Sequence, residues 1–249
     1  MLTDHELNSI RYYIGDTEGT DGFWGDEKAY VLMNALYFSG IRSETDRAGE
    51  GKCLNPEILA DPERLYKVLT ALISACRKCA LRAEMETYRV ERMSDFAEMR
   101  HKGKTISFTS TSTDGFLSAY ADRRGVALLH FILPEGTPCI PMAEVLSHYA
   151  KADEAEVLLP PGLPLHIREY PVPDCCLSIT DADGKPPVCF AEISVDPTFP
   201  EAAHHALPKE ETALITRLCT ALMLGETPSA EDIGRYIAWK QEFQRALGV

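Results

Sequence analysis

The hydrophobic pattern of this chain changes period near residue 86, and that change narrows the folds open to it more than any other feature. Before it, apolar residues recur at helical spacing in Leu2–Tyr13, in Glu27–Phe38 and in a long segment from near Pro62 to near Leu81. Thr3 or Asp4 supplies the first N-cap. Two loops, Gly15–Asp26 and Gly40–Asn55, separate these helices. After it, short segments predict strands at Glu86–Met93, Thr105–Thr111, Val126–Leu133, Pro138–Met142, Ala155–Leu159, Pro164–Tyr170, Cys175–Thr180 and Val188–Val195. The tract Asp181-Ala182-Asp183-Gly184-Lys185 is turn chemistry before the last of them. Beyond Asp196 helical spacing returns in Pro208–Leu224 and Ser229–Leu247, with apolar faces made by Leu214, Leu218, Ala221, Leu222, Ile233, Ile237 and Phe243. Helices followed by many short strands predict an α+β fold: a two-sheet, mostly antiparallel β core with N-terminal helices and a C-terminal helical extension.

A chain of 249 residues suits one large domain with an appendage, here 1–196 and 197–249. The formal charge of −13 argues against a nucleic-acid partner and against a polybasic membrane patch. No segment approaches the run of about 18 apolar residues that a membrane span needs. Met1–Arg11 has no apolar h-region, so no secretory signal is expected. The expected location is the cytoplasm as synthesised, with export by a route that needs no such signal left open. Eight cysteines then read as reduced thiols. Cys76-x-x-Cys79 lies in an apolar helical run without a second pair at zinc-ligand spacing, and Cys175, Cys176 and Cys189 lie in apparent strands. All read as core residues. His148, His204 and His205 have no third ligand at suitable spacing, so no metal is expected.

Three strings remain, in one order: Tyr88-Arg89, Phe108-Thr109-Ser110-Thr111-Ser112, and Glu154-Ala155-Glu156-Val157-Leu158-Leu159-Pro160-Pro161-Gly162. The guanidinium of Arg89 is a planar fork that can hold phosphate oxygens bidentately. Alternation puts Ser110 and Ser112 on one face of their strand and Thr111 on the other. In extended chain Glu154 and Glu156 share a face with Cα atoms about 7 Å apart, so their charges repel and one titrates high unless relieved. Plainer readings exist for each: a strand-end arginine in a surface ion pair, a strand rich in Ser and Thr through β propensity, a solvated strand start.

Order and chemistry together resemble the ADP-ribosyltransferases of the arginine–serine–glutamate class, over roughly residues 25 to 196. The resemblance implies NAD as substrate, with Arg89 clamping it and Ser110, Thr111 and Ser112 beside it. Ser110 would face the nicotinamide ribose and orient Glu156, the catalytic glutamate. Glu154 would contact the acceptor, and glutamate at that place points to arginine of a target protein. The segment Ser147–Asp153 corresponds to the target-recognition loop, with Tyr149 as its aromatic contact. Ser94–Lys104 corresponds to the loop covering phosphate and nicotinamide, with Phe96 as a stacking ring, although a Phe on a short amphipathic helix is more often a core residue. The Tyr30…Asn34…Leu36 spacing is similar to the helix before the nucleotide site. An NAD glycohydrolase with water as acceptor, and a non-catalytic interaction module keeping the fold, are the competing readings. The module is disfavoured because Arg89, Ser110 and Glu156 are all present.

Overall fold

The computed structural model describes residues 1–14, 34, 62–116, 125–146, 155–198, 209–223 and 226–247. The alternating segments form β1 (Met85–Arg92), β2 (Thr109–Ser112), β3 (Val126–Leu133), β4 (Ile140–Pro141), β5 (Glu156–Leu159), β6 (Leu165–Tyr170) and β7 (Cys189–Val195). They join in the order β4-β5-β2-β1-β3-β7-β6. Every pairing is antiparallel except β3 with β7. The class is α+β. The two expected sheets are two ladders of one sheet, β4-β5-β2 and β1-β3-β7-β6, joined by one registered pair, Tyr88 with Ser112. β1 and β2 therefore share one ladder pair, and the two ladders join there in a fork.

Alternation sorts the faces. Leu129, Phe131 and Leu133 of β3 pack with Ala191, Ile193 and Val195 of β7 and with Val157 and Leu159 of β5 into the main apolar cluster. A smaller cluster of Val90, Val126, Leu128 and Cys176 occupies the opposite face. Burial of such side chains, about 1.5–3 kcal/mol each, is what holds strands this short in register.

Two predicted strands are corrected. Cys175–Thr180 is no strand: Asp174–Cys176 is a 3-10 turn, with Cys176 N–H donating to Pro173 O at 2.8 Å and Ile179 N–H to Cys176 O at 3.1 Å. Its apolar residues, Cys176 and Ile179, plug the smaller cluster instead of joining a ladder. The segment read as Thr105–Thr111 becomes a strand only at Thr109, because Thr105 is committed elsewhere. Thr105 is fully buried; its hydroxyl donates to Pro160 O at 2.7 Å and accepts from Leu163 N–H at 2.9 Å. It thereby clamps the turn of Pro160-Pro161-Gly162-Leu163, in which Gly162 takes φ +89, the left-handed value glycine adopts without strain.

The described residues fall into two units, Ala75–Phe199, which holds the sheet, and Met1–Ser74 with Pro200–Gly248, which is helical. Helix α1 (Asp4–Ile14) opens with a capping box: Glu6 N–H donates to Thr3 Oγ1 at 3.2 Å, and Thr3 N–H to Glu6 Oε2 at 2.7 Å. Glu6 also accepts from the Ser74 hydroxyl of α2 (Pro62–Lys78) at 2.7 Å. The expected helix Glu27–Phe38 lies outside the described residues except for Asn34, whose Nδ2 donates to the Tyr13 hydroxyl at 3.4 Å. In the sheet unit α3 (Met93–Lys102) follows β1, and α4 (Met142–Val145) follows β4. The C-terminal helices are α5 (Lys209–Met223) and α6 (Ala230–Leu247). Leu214 and Leu218 are buried as expected, whereas Ile233 and Ile237 are exposed. In α6 the larger aromatic residues take the packing face: Tyr236, Trp239 and Phe243 follow one another at 6.1 and 5.4 Å, and Phe243 meets Tyr66 of α2 at 5.7 Å.

Candidate active site

The fork between β1 and β2 brings the three strings together. Tyr88 is registered with Ser112 across it, and Ser112 is registered with Glu156 of β5. These three side chains share one face, in adjacent rows about 4.5–5.5 Å apart. Ser110, registered with Leu158, lies on that face too, diagonal to Glu156. It is half-buried, and its hydroxyl has no hydrogen-bond partner among the described residues. Arg89 leaves β1 on the opposite face, that of the main apolar cluster, and turns into the fork. There its Nη1 donates to the carbonyl oxygen of Ser110 at 2.6 Å and its Nε to Glu91 Oε2 at 2.5 Å. The three strands that carry the strings thus adjoin where the two ladders separate, Arg89 bonding the Ser110 carbonyl of β2 and Ser112 pairing β2 with Glu156 of β5.

Glu156 opens β5 directly after Ala155, whose φ of +42 is the only positive value at a non-glycine residue among the described ones. An alanine there costs about 1–2 kcal/mol relative to the right-handed region. The carbonyl of Ala155 accepts from Thr113 N–H at 3.2 Å, which extends the β2–β5 ladder to this kink. The extended-chain reading of Glu154 and Glu156 is therefore corrected. The chain is not extended at Ala155, so neither a shared face nor a close pair of charges follows from alternation. Glu154, Tyr149 and the rest of Ser147–Asp153 lie outside the described residues, as do His148, His204 and His205.

Two further site assignments change. Phe96 sits on α3, not on a covering loop; it is fully buried in the main apolar cluster beside Met99, so its ring cannot stack on a dinucleotide. Thr111 faces away from Ser110 and is buried, with its hydroxyl donating to Val157 O at 2.9 Å, so it ties β2 to β5 rather than meeting a ligand. Ser112 is buried beside Glu156, and its Oγ accepts from Asp114 N–H at 3.1 Å.

Around the fork lie residues that the motifs did not flag. Tyr88 stacks on His130 at 4.9 Å with 7° between the rings, and Phe116 meets its edge at 5.2 Å. Glu86 Oε2 accepts from the Tyr88 hydroxyl at 3.2 Å and lies 3.0 Å from His130 Nε2. Partial burial first, and the bond to Glu86 second, hold the Tyr88 phenol above its ordinary range. Glu91, buried beside Arg89, was legible as a carboxylate two residues along the same strand face. Cys139 joins the C-x-x-C pair, its N–H donating to Cys76 O at 3.1 Å. Burial pushes the Cys139 thiol up to about 12 and raises Cys76 strongly, which keeps both neutral and unreactive. Among the described residues no cluster of three or more His, Cys, Asp or Glu fits a metal ion. No described helix is long and apolar enough to cross a membrane.

No protein-family model matches the chain, and comparison with curated proteins gives no match. Several solved structures are similar in overall path. The ADP-ribosylating toxin BECa of a binary enterotoxin of C. perfringens, solved with NADH, aligns over 78% of this chain and 44% of its own, at 19% identity and TM-score 0.48. The enzymatic component C2-I of the Clostridium botulinum C2 toxin aligns over 78% and 43%, at 16% identity and TM-score 0.49. The Clostridium limosum C3 exoenzyme aligns over 78% and 86%, at 14% identity and TM-score 0.46. The chain thus spans less than half the length of the first two, and its likeness to all three is one of chain path at low identity.

Proposed function

We propose that the chain transfers ADP-ribose from NAD to a side chain of a target protein, arginine by preference, with release of nicotinamide. The observation that carries this reading is the fork: Arg89 lies 2.6 Å from the Ser110 carbonyl, and Glu156 is registered beside Ser112 on the Ser110 face. Nicotinamide leaves as a neutral base when the C1′–N bond of NAD breaks, taking the bonding electrons, so no general acid is needed. What the reaction needs is a held pyrophosphate, a fixed ribose and negative charge beside the sugar cation that forms. Arg89 supplies the first, Ser110 the second and Glu156 the third. The acceptor nitrogen then bonds C1′ and gives up a proton. Glu154 accepts that proton or orients the acceptor guanidinium by paired hydrogen bonds. No step calls for a metal or for a nucleic-acid or membrane partner.

The test is incubation of the protein with labelled NAD and a cell lysate, followed by mass spectrometry of the modified peptides. Label on arginine supports the full reading. Label confined to serine, threonine or asparagine overturns the acceptor preference. Nicotinamide release without any labelled protein favours the glycohydrolase, and absence of NAD turnover refutes the whole reading. Glu154→Gln is expected to spare NAD hydrolysis while losing arginine transfer; an equal fall in both activities contradicts that division of labour.

A further inference from the structure

Glu91 is buried, yet nothing in the formation of β1 calls for a carboxylate there. Its registered neighbour on β3 is Ala127, a member of the main apolar cluster, and an apolar side chain at 91 would satisfy the same packing. A carboxylate buried beside such a surface is costly unless it is paired and its oxygens are satisfied. Both are the case. Oε2 takes the Nε–H of Arg89 at 2.5 Å, and Oε1 takes the main-chain N–H of Arg92 at 3.0 Å, so the backbone fixes the carboxylate that in turn fixes the guanidinium. On its other side Arg89 is tied through Nη1 to Ser110 O at 2.6 Å. A long flexible side chain is thereby held in one plane by two contacts from two different strands.

We infer that Glu91 is the positioning residue for Arg89: by holding the Nε edge it fixes the plane in which the guanidinium meets a phosphate. This rests on the proposal that Arg89 meets the pyrophosphate of NAD. A guanidinium fixed beforehand binds an anion without first giving up its rotamer freedom, which is the gain that offsets burying a negative charge next to an anion site. Charge and orientation make opposite predictions, and that separates them. If Glu91 acted only through its charge, any neutral replacement would strengthen binding of the anionic dinucleotide. If it orients Arg89, losing the acceptor weakens binding, and an uncharged acceptor restores it in part.

The experiment compares wild type, Glu91→Ala and Glu91→Gln in two readouts: NAD affinity by calorimetry, and proton exchange of the Arg89 Nε–H by nuclear magnetic resonance, with the signal identified by its loss in Arg89→Lys. Glu91→Ala is expected to weaken NAD binding about tenfold or more, the loss typical of a charge-assisted hydrogen bond, with faster Nε–H exchange. Glu91→Gln, whose single amide oxygen accepts from Nε or from the Arg92 N–H but not from both, is expected to fall between wild type and Glu91→Ala in affinity and in exchange. Tighter binding in both variants overturns the inference, as does lowered thermal stability with unchanged NAD affinity and exchange. If wild type binds no NAD, the dinucleotide reading fails, and exchange alone decides whether Glu91 holds Arg89.

Discussion

Replacing Thr105 by valine tests whether the Pro-Pro-Gly end of the third string is structural. The substitution keeps the shape and removes the hydroxyl that donates to Pro160 O and accepts from Leu163 N–H. Thr105, Pro160 and Leu163 are all buried, so water cannot replace the lost partner. Two orphaned backbone groups at about 1–3 kcal/mol each, partly relaxed, set against about 1 kcal/mol from the added methyl, leave a net loss of about 2–3 kcal/mol. At about 2–4 °C per kcal/mol for a chain of this size, the melting temperature falls by about 4–12 °C. Urea denaturation followed by far-UV circular dichroism measures the loss, and hydrogen exchange at the Leu163 amide locates it. A change below about 0.5 kcal/mol, or unchanged exchange at Leu163, refutes the clamp.

Ala155→Gly removes the cost of a side chain at φ +42 but adds glycine's backbone entropy, for a net gain of about 0.5–1 kcal/mol in the same denaturation assay; a loss of that size would mean the kink is not strained. Asp181 accepts from the N–H groups of Gly125, Lys185 and Asp183 at 2.9 Å each, and these bonds, led by Gly125, hold its carboxyl below the ordinary 3.8. Because the folded-state value is the lower one, this contribution is fully present above 3.8 and is lost as pH falls through the folded value. The stability gap between wild type and Asp181→Asn should therefore be flat above about pH 5 and close below it; a gap that widens in acid contradicts the assignment.

How much could be read in advance follows from which patterns are local. Val126–Leu133 is a mostly apolar run, buried along one face and over the first half of the other, and both its ends were read correctly. Thr105 and Cys175–Thr180 look like strand by composition, but their fates were set by Pro160–Leu163 and by the smaller apolar cluster, which composition does not report. Phe96 was readable as amphipathic helix or as covering loop, and its burial under the sheet decided between them. The order of Arg89, Ser110 and Glu156 was visible; that their strands join through one registered pair, Tyr88 with Ser112, was not. Nor was the kink at Ala155, since alanine carries no signature of a left-handed backbone.

The central claim is that Glu156 stabilises a sugar cation formed from NAD beside Arg89 and Ser110. Its most direct test is single-turnover NAD cleavage by Glu156→Gln, with NAD affinity measured on the same preparation. Cleavage should slow by about two orders of magnitude or more while affinity stays within about threefold, because the charge matters in the transition state and not in the ground state. Wild-type turnover by Glu156→Gln would contradict the account.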